Sequence, residues 1–236
     1  MFICVQERDA LKVASHGSKL QKWLKGKIPL PPRVEDHLKE AGITKLLYCS
    51  FKMVDKALLS AFAERWHRET SSFHMPFGEM TVTLDDVSVL LGLPVRGSFY
   101  VPPVMDPDIG ISYLQALLGC TYEEARKETD DMRGAHMSMD FLMKTYEDRV
   151  LDGKWDFATR ALIMLLLACT ILADKSHIYI DIKYLDLVRD LSAVGSVSWA
   201  SAALAFLYGY LGDASLHDTK QIGGYMTLLQ VRSLFL

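Results

Sequence analysis

Apolar residues along this chain recur mainly every three to four positions, which is the spacing of helices that bury one face. A representative stripe follows the N-cap residue Asp55 and consists of Leu58, Ala61, Phe62 and Arg65. The pattern predicts about ten helices, within residues 18–24, 33–41, 55–66, 84–91, 111–118, 121–131, 140–150, 156–173, 184–191, 198–211 and 224–230. Helices therefore dominate the predicted secondary structure.

A β-hairpin is predicted in the middle of this helical pattern. Residues 72–75 and 79–83 are rich in Phe, Thr and Val, and they flank a connection, residues 76–78, that contains proline and glycine. Directly afterwards, Thr83 is placed to cap a helix, and Asp86 three residues later completes a capping box. The sequence thus predicts a hairpin that leads straight into a well-capped helix.

The remaining segments complete the predicted architecture. Residues 178–182 alternate isoleucine with polar residues, which predicts one further short strand. Residues 97–110 contain three prolines and two glycines and are predicted to form a loop. Because hydrophobic helices lie on both sides of this loop, we predict one domain over residues 1–236: a mostly α fold, a single multi-helix domain with one embedded β-hairpin.

Charge is distributed unevenly along the 236 residues, whose net charge is −3. Residues 8–33 contain seven basic residues and one acid, so this segment carries +6 and the rest of the chain −9. Such a segment suits a phosphate backbone or an acidic partner, and the alternative is a set of separately solvated lysines. The candidate interaction surface comprises Arg8, Lys12, Lys19, Lys22, Lys25, Lys27, Arg65 and Arg68.

Several classes of protein are disfavoured by composition. Four widely spaced cysteines without a CxxC pair indicate a reducing compartment and no disulfide framework or zinc site. The longest apolar run, residues 161–173, has thirteen residues, fewer than the ~20 of a membrane span, so we expect no membrane association. The N-terminus lacks the apolar run of a secretory signal.

Acidic residues near the hairpin raise the possibility of a metal-dependent nuclease. Glu79, Asp85 and Asp86 are the obvious carboxylates, but neighbouring helical residues diverge by about 100°, and helix capping accounts for both aspartates. His67 and His74 have no HxxxH partner. The glycines of residues 221–224 lack the rest of a phosphate loop and suit a tight turn with close packing. We predict no catalytic residue, no metal site and no cofactor.

Several blocks of the sequence together resemble the plant mobile domain of the MAIN and MAIN-LIKE family. The opening block contains Arg8, Leu11, His16, Lys19, Leu20 and Trp23. The central and C-terminal blocks are residues 61–66, 68–70, 73–74, 77–84, 90–93, 184–185, 198–205 and 221–224. The resemblance covers nearly the whole chain in the expected order, and the central block is the most specific part.

The resemblance implies a nuclear protein with a role in gene-expression control, transposon silencing and meristem maintenance, and a phosphatase-7-like protein as partner. The same domain occurs in long-form protein phosphatase 7 and in mobile elements, although the metal motifs GDxHG and GNHE are absent from this sequence. Family members continue past residues 221–224 into a longer aromatic-rich stretch. The resemblance therefore implies a domain truncated at its C-terminus.

Three functions remain open at this point. The preferred function is a non-catalytic interaction module that offers a helical surface to a protein partner. The alternative is a nucleic-acid-binding module derived from a mobile element, which uses the basic N-terminal segment and the hairpin, and the third is a cryptic nuclease or hydrolase. Trp66 is expected to pack under the hairpin, with Arg65 or Arg68 paired to Glu69 or Glu79.

Overall fold

The computed structural model describes residues 10–13, 17–49, 54–176 and 178–233. Ten α-helices lie within these residues: α1 Gly17–Leu24, α2 Pro32–Glu40, α3 Lys56–Glu64, α4 Leu84–Leu91, α5 Pro107–Leu118, α6 Tyr122–Asp131, α7 Met139–Leu151, α8 Trp155–Cys169, α9 Trp199–Ala214 and α10 Met226–Ser233. Short 3₁₀ helices occupy Thr44–Leu47, Ile182–Val188 and Val194–Ser196. The described strands are β1 Lys12–Val13, β2 Trp66–His67, β3 Ser72–Met75, β4 Gly78–Met80, β5 His136–Ser138, β6 Tyr179–Asp181 and β7 Gln221–Ile222. The mostly α prediction is confirmed.

Helix α8 lies at the centre of the core. Eleven of its fifteen residues are buried, and it packs against α7, α2, α5 and α1. Its N-cap is Lys154 without a side-chain hydrogen bond, so the helix begins one residue before the predicted range, and it ends at Cys169 rather than near residue 173. The buried apolar residues from Leu11 to Leu229 form one hydrophobic cluster around it. Within the described residues, no helix is long and apolar enough to cross a membrane.

The predicted hairpin is present as part of a three-stranded antiparallel sheet of β2, β3 and β4. His74 pairs with Glu79 and Met75 with Gly78, so the turn has two residues rather than the predicted three. Trp66 belongs to β2, opposite Phe73, and does not continue α3 as predicted. The indole is 4% exposed and packs edge-on against Phe73 with ring centroids 4.8 Å apart. The predicted burial of Trp66 at the hairpin is confirmed.

Two smaller sheets join distant parts of the chain. The predicted strand near residue 180 is confirmed as β6, and its antiparallel partner β5 lies between the predicted helices 121–131 and 140–150, where no strand was predicted. Strands β1 and β7 pair in parallel, with Lys12 opposite Gln221. The segment predicted as a helix over residues 184–191 is a 3₁₀ helix over Ile182–Val188. These pairings tie both ends of the described chain to the helical core.

The helix starts at α5 and α4 show how local sequence controls this fold. Helix α5 begins at Pro107, four residues before the predicted start, because Asp106 accepts a hydrogen bond from the Ile109 N–H at 2.8 Å and proline is favourable in the first turn. At α4, the predicted capping box of Thr83 and Asp86 is confirmed. Both helices flank the loop of residues 92–106, which forms one wall of the surface described next.

Candidate interaction surface

Two of the predicted basic residues of the N-terminal segment form ion pairs with helix α7. The Lys19 ammonium lies 2.8 Å from an Asp140 carboxylate oxygen, and the Lys27 ammonium lies 2.8 Å from Glu147. Both acids belong to α7, so α7 compensates part of the charge. Lys12, Lys22 and Lys25 are exposed, and in the described part of the chain none of them forms an ion pair. Arg8 lies outside the described residues.

The two central arginines, Arg65 and Arg68, directly flank strand β2 of the three-stranded sheet. Arg65 donates from its guanidinium to the Ala61 carbonyl at 3.1 Å. The stem of Arg68 passes α9 at Gly212, where a Cβ atom on that glycine would lie 3.5 Å from the Arg68 Cγ. Glu79 accepts a hydrogen bond from the Ser72 hydroxyl at 3.0 Å. The predicted pairing of either arginine with Glu69 or Glu79 is therefore wrong for the residues that the structure describes.

The acidic residues that suggest metal binding in the sequence have structural roles. One carboxylate oxygen of Asp86 accepts from the Thr83 N–H at 2.8 Å and from the Thr83 hydroxyl at 2.9 Å, while the Asp86 N–H donates back to that hydroxyl at 3.1 Å. Asp85 is exposed in the same first turn. Over the described ranges, no three His, Cys, Asp or Glu side chains are grouped so as to hold a metal ion. The capping interpretation of Asp86 is confirmed.

The glycines of residues 221–224 serve packing, as the sequence indicated. A Cβ on Gly223 would lie 2.9 Å from the Tyr210 ring, and Gly224 has φ +90° while its N–H donates to the Ala173 carbonyl at 2.7 Å.

Two buried thiols are similarly structural. Burial raises the pKa of Cys120 to about 11 and that of Cys169 to about 12, which disfavours the reactive thiolate.

A polar cavity of about 300 Å³ separates α6 from α7. Glu128, 9% exposed, projects into this region and accepts from the Ser138 N–H at 2.5 Å. The Arg149 guanidinium donates to the Leu118 carbonyl at 3.0 Å and pairs with Asp152 at 3.3 Å. The chain itself therefore supplies hydrogen-bond partners to both of these charged groups, as is usual for buried polar groups.

An apolar groove lies beside residues 97–105, and the sequence pattern did not predict it. It has a volume of about 310 Å³ and lies between this loop, the 3₁₀ helix Ile182–Val188 and α9. Its walls include Phe99, Tyr100, Pro102, Leu187, Ala202 and Phe206. Apolar side chains also protrude from the same loop: Phe99 is 82% exposed, Val101 85% and Val104 95%. Together, these residues form what we call the loop groove surface.

The base of this loop is fixed by hydrogen bonds to the start of α9. The Ser98 N–H donates to the Ser196 carbonyl at 2.8 Å, and the Ser198 hydroxyl donates to the Val95 carbonyl at 2.6 Å. Gly97 has φ +141°, and a Cβ there would lie 2.4 Å from the Ser196 carbonyl oxygen, so the close approach requires glycine. Tyr100 closes the other side by donating to the Lys183 carbonyl at 2.7 Å. The exposed side chains are therefore presented from a well-anchored backbone.

A sequence signal for this surface existed. Residues 99, 101 and 104 are apolar within a proline-rich segment, where exposed loops are usually polar. The prediction of a loop over residues 97–110 rests only on the prolines and glycines. The groove itself had no local signal, because α9 and the 3₁₀ helix that line it are about a hundred residues away in the chain.

Comparison with known proteins places the chain in a family. The family model described as plant mobile domain matches residues 42–235. Protein MAIN-LIKE 1 of Arabidopsis thaliana is 34% identical over 233 residues, which is 98% of this chain and 44% of that protein. Protein MAINTENANCE OF MERISTEMS of the same organism is 32% identical over 235 residues, 98% of this chain and 46% of its own length.

A relative of a different kind carries the same domain. Serine/threonine-protein phosphatase 7 long form homolog of Arabidopsis thaliana is 35% identical over 209 residues, 86% of this chain and 15% of that protein. No solved structure gives a significant match. These similarities show a domain shared with larger proteins, of which this chain spans less than half the length. The chain belongs to the plant mobile domain family.

Proposed function

We propose that this chain is a non-catalytic protein-interaction module that acts in the nucleus, in gene-expression control and transposon silencing, and that it binds its partner through the loop groove surface. The similarity to Protein MAIN-LIKE 1 and to Protein MAINTENANCE OF MERISTEMS supports the biological setting. The proposed partner is a phosphatase-7-like protein. The similarity to the phosphatase 7 long form homolog supports this choice, because both chains carry a related domain.

The observation that carries the proposal is the pairing of an apolar groove with protruding apolar side chains on a fixed loop. Contact with water is unfavourable for exposed apolar side chains such as Phe99 and Val101. Soluble proteins seldom expose a group of such side chains unless the group has a function. Aromatic side chains at a pocket are common anchors of protein interfaces. Because hydrogen bonds already hold the loop base, little ordering of the backbone is needed on binding.

The electrostatic features favour a protein partner over nucleic acid. Asp140 and Glu147 compensate two of the lysines on and after α1, and the net charge of the chain is −3. A strong phosphate-binding surface needs several uncompensated cations on one face. Lys22 and Lys25 remain exposed, so they are the matched control positions for the experiment below.

The experiment is isothermal titration calorimetry of the purified chain against the purified phosphatase 7 long form homolog. The proposal predicts a saturable complex that Val101→Glu weakens by at least about tenfold, since a charge would be buried at the interface. The control Lys22→Glu/Lys25→Glu should leave this affinity within about twofold. Absence of a complex would overturn the proposed partner. Binding to duplex DNA that falls steeply with salt and is lost in the lysine variant would support the nucleic-acid function instead.

A further inference from the structure

The loop groove surface has the features of a self-complementary interface. A two-fold symmetric dimer buries the same patch on both copies, so that patch must supply both a protrusion and a recess. Here Phe99 and Val101 protrude from the loop, and the groove of about 310 Å³ opens directly beside them. A cavity of this volume is large enough for one aromatic side chain.

Charges at the two ends of the loop give the pairing a direction. Arg96 precedes the loop, and Asp106 and Asp108 follow it at the start of α5; all three are exposed. In the described part of the chain, neither Arg96 nor Asp108 forms an ion pair. If two loops pack antiparallel around an axis near Pro102, Arg96 of each copy faces Asp108 of the other. A parallel arrangement would instead place like charges together, which is unfavourable.

We propose that the loop groove surface pairs two copies of this chain in a two-fold antiparallel arrangement, with Phe99 of each copy in the groove of the other. This inference rests on the proposed function of the surface in protein binding, and it names a second copy as the occupant of the surface when the phosphatase-7-like partner is absent. The pairing is held by the apolar contacts and oriented by the two Arg96–Asp108 contacts.

The size of the patch sets the expected affinity. An aromatic side chain buries about 150–250 Å², so the two Phe99 rings supply about 300–500 Å² of the roughly 1,600 Å² in a standard interface. Val101, Val104 and the groove walls add to this area, but two exposed ion pairs add little affinity. We therefore expect a dimer with a dissociation constant in the micromolar range, seen only when the protein is concentrated.

The test measures the oligomeric state by sedimentation velocity over a range from low to several hundred micromolar. The wild-type chain should shift from monomer to dimer, and Val101→Glu should weaken the dimer by at least about tenfold. Circular dichroism verifies that each variant keeps the helical content of the wild type. A wild-type chain that stays monomeric throughout this range, or a dimer unaffected by Val101→Glu, overturns the inference.

Charge reversal tests the antiparallel geometry specifically. Arg96→Glu and Asp108→Arg should each weaken self-association by about tenfold, because each places two pairs of like charges in contact. An equimolar mixture of the two single variants should recover a dimer of about wild-type affinity, since both contacts then join opposite charges again. Failure of the mixture to recover while each variant alone is impaired overturns the antiparallel arrangement.

These results remain separable from those of the proposed function. A monomeric chain that still binds the phosphatase 7 long form homolog, with loss on Val101→Glu, overturns only the pairing of two copies. A dimer that follows the charge-reversal pattern while the phosphatase relative fails to bind supports the pairing and overturns only the proposed partner.

Discussion

Replacement of Asp86 by alanine tests whether the acidic pair after the hairpin is structural. In the native chain, Asp86 accepts two hydrogen bonds from Thr83, at 2.8 Å and 2.9 Å, and its negative charge lies in the first turn of α4. Helix α4 buries Val87 and Leu91 and packs against α9 and α10. Loss of the carboxylate removes both hydrogen bonds and the favourable interaction with the helix dipole.

The magnitude follows from these two contributions. Capping interactions contribute about 1 kcal/mol, with a range of about 0.5–2, and an acid in an exposed first turn contributes about 0.3–1 kcal/mol. We expect Asp86→Ala to lower the free energy of unfolding by about 1–2 kcal/mol. Asp85→Ala should cost only about 0.3–1 kcal/mol, because no side-chain hydrogen bond of Asp85 is found in the described residues and only the dipole interaction is lost.

The assay is urea denaturation followed by circular dichroism, with Asp86→Asn as a third variant because an amide oxygen can still accept from Thr83. The double variant Thr83→Ala/Asp86→Ala should cost less than the sum of the single variants, since the two residues share the same hydrogen bonds. Equal costs for Asp85→Ala and Asp86→Ala would refute the capping argument. Metal-dependent cleavage of DNA that disappears in Asp86→Ala at unchanged stability would replace it with a catalytic role.

Three further predictions concern the core and its edges. Trp66→Ala should lower the free energy of unfolding by about 3–5 kcal/mol, measured by urea denaturation, because the buried indole packs against Phe73. The hydrogen bond from Lys27, and then that from Trp23, lowers the pKa of Glu147. The contribution of the Glu147 carboxylate to the free energy of unfolding is therefore present above the unfolded pKa, and it is lost as pH falls through the lower folded pKa. Glu147→Gln should therefore cost up to about 1 kcal/mol at pH 7, and this difference should shrink in denaturation series as the solution is acidified below the unfolded pKa of Glu147. Burial raises the pKa of Cys169 to about 12, so iodoacetamide should leave this thiol unmodified in the folded chain at about pH 8. After denaturation the same reagent should modify it, and peptide mass spectrometry would detect the difference.

The features that sequence predicted well are those decided within a few residues. The capping box of Thr83 with Asp86 depends on side chains three positions apart, so local spacing is sufficient to find it. The Asp106–Pro107 pair is also a local indication that α5 starts at Pro107. The prolines around this pair are typical of a loop, however, so the sequence pattern predicted a later start of the helix.

The features that sequence did not predict depend on pairings between distant residues. Strands of two or three residues, such as β1 and β7, are too short to show an alternating pattern, and their partner lies across the whole chain. The ion pairs of Lys19 and Lys27 with α7 likewise require knowing that α1 lies beside α7. Charge counted along the sequence therefore overstated how much free positive charge the N-terminal segment carries.

Residues before the family match are integral to the described core. The match to the family begins at residue 42, yet Leu20 and Leu38 are fully buried, and the Trp23 indole donates to Glu147 at 2.8 Å. A segment whose apolar residues fill the core, and two of whose lysines pair with α7, contributes to the scaffold of the domain. This placement favours a binding surface elsewhere on the domain.

Helix α9 connects the loop groove surface to the hairpin. Its start holds the loop through Ser198, and farther along Tyr208 donates to the Val82 carbonyl at 2.6 Å, beside the three-stranded sheet. Ala200 and Ala203 are buried, whereas Ala202 lines the groove. The small side chains of this one helix thus serve both faces: they permit close packing inside and leave room for an apolar side chain outside. Because the same helix contacts both the base of the loop and the sheet, packing and hydrogen bonds support the walls of the groove, which favours binding with little conformational cost.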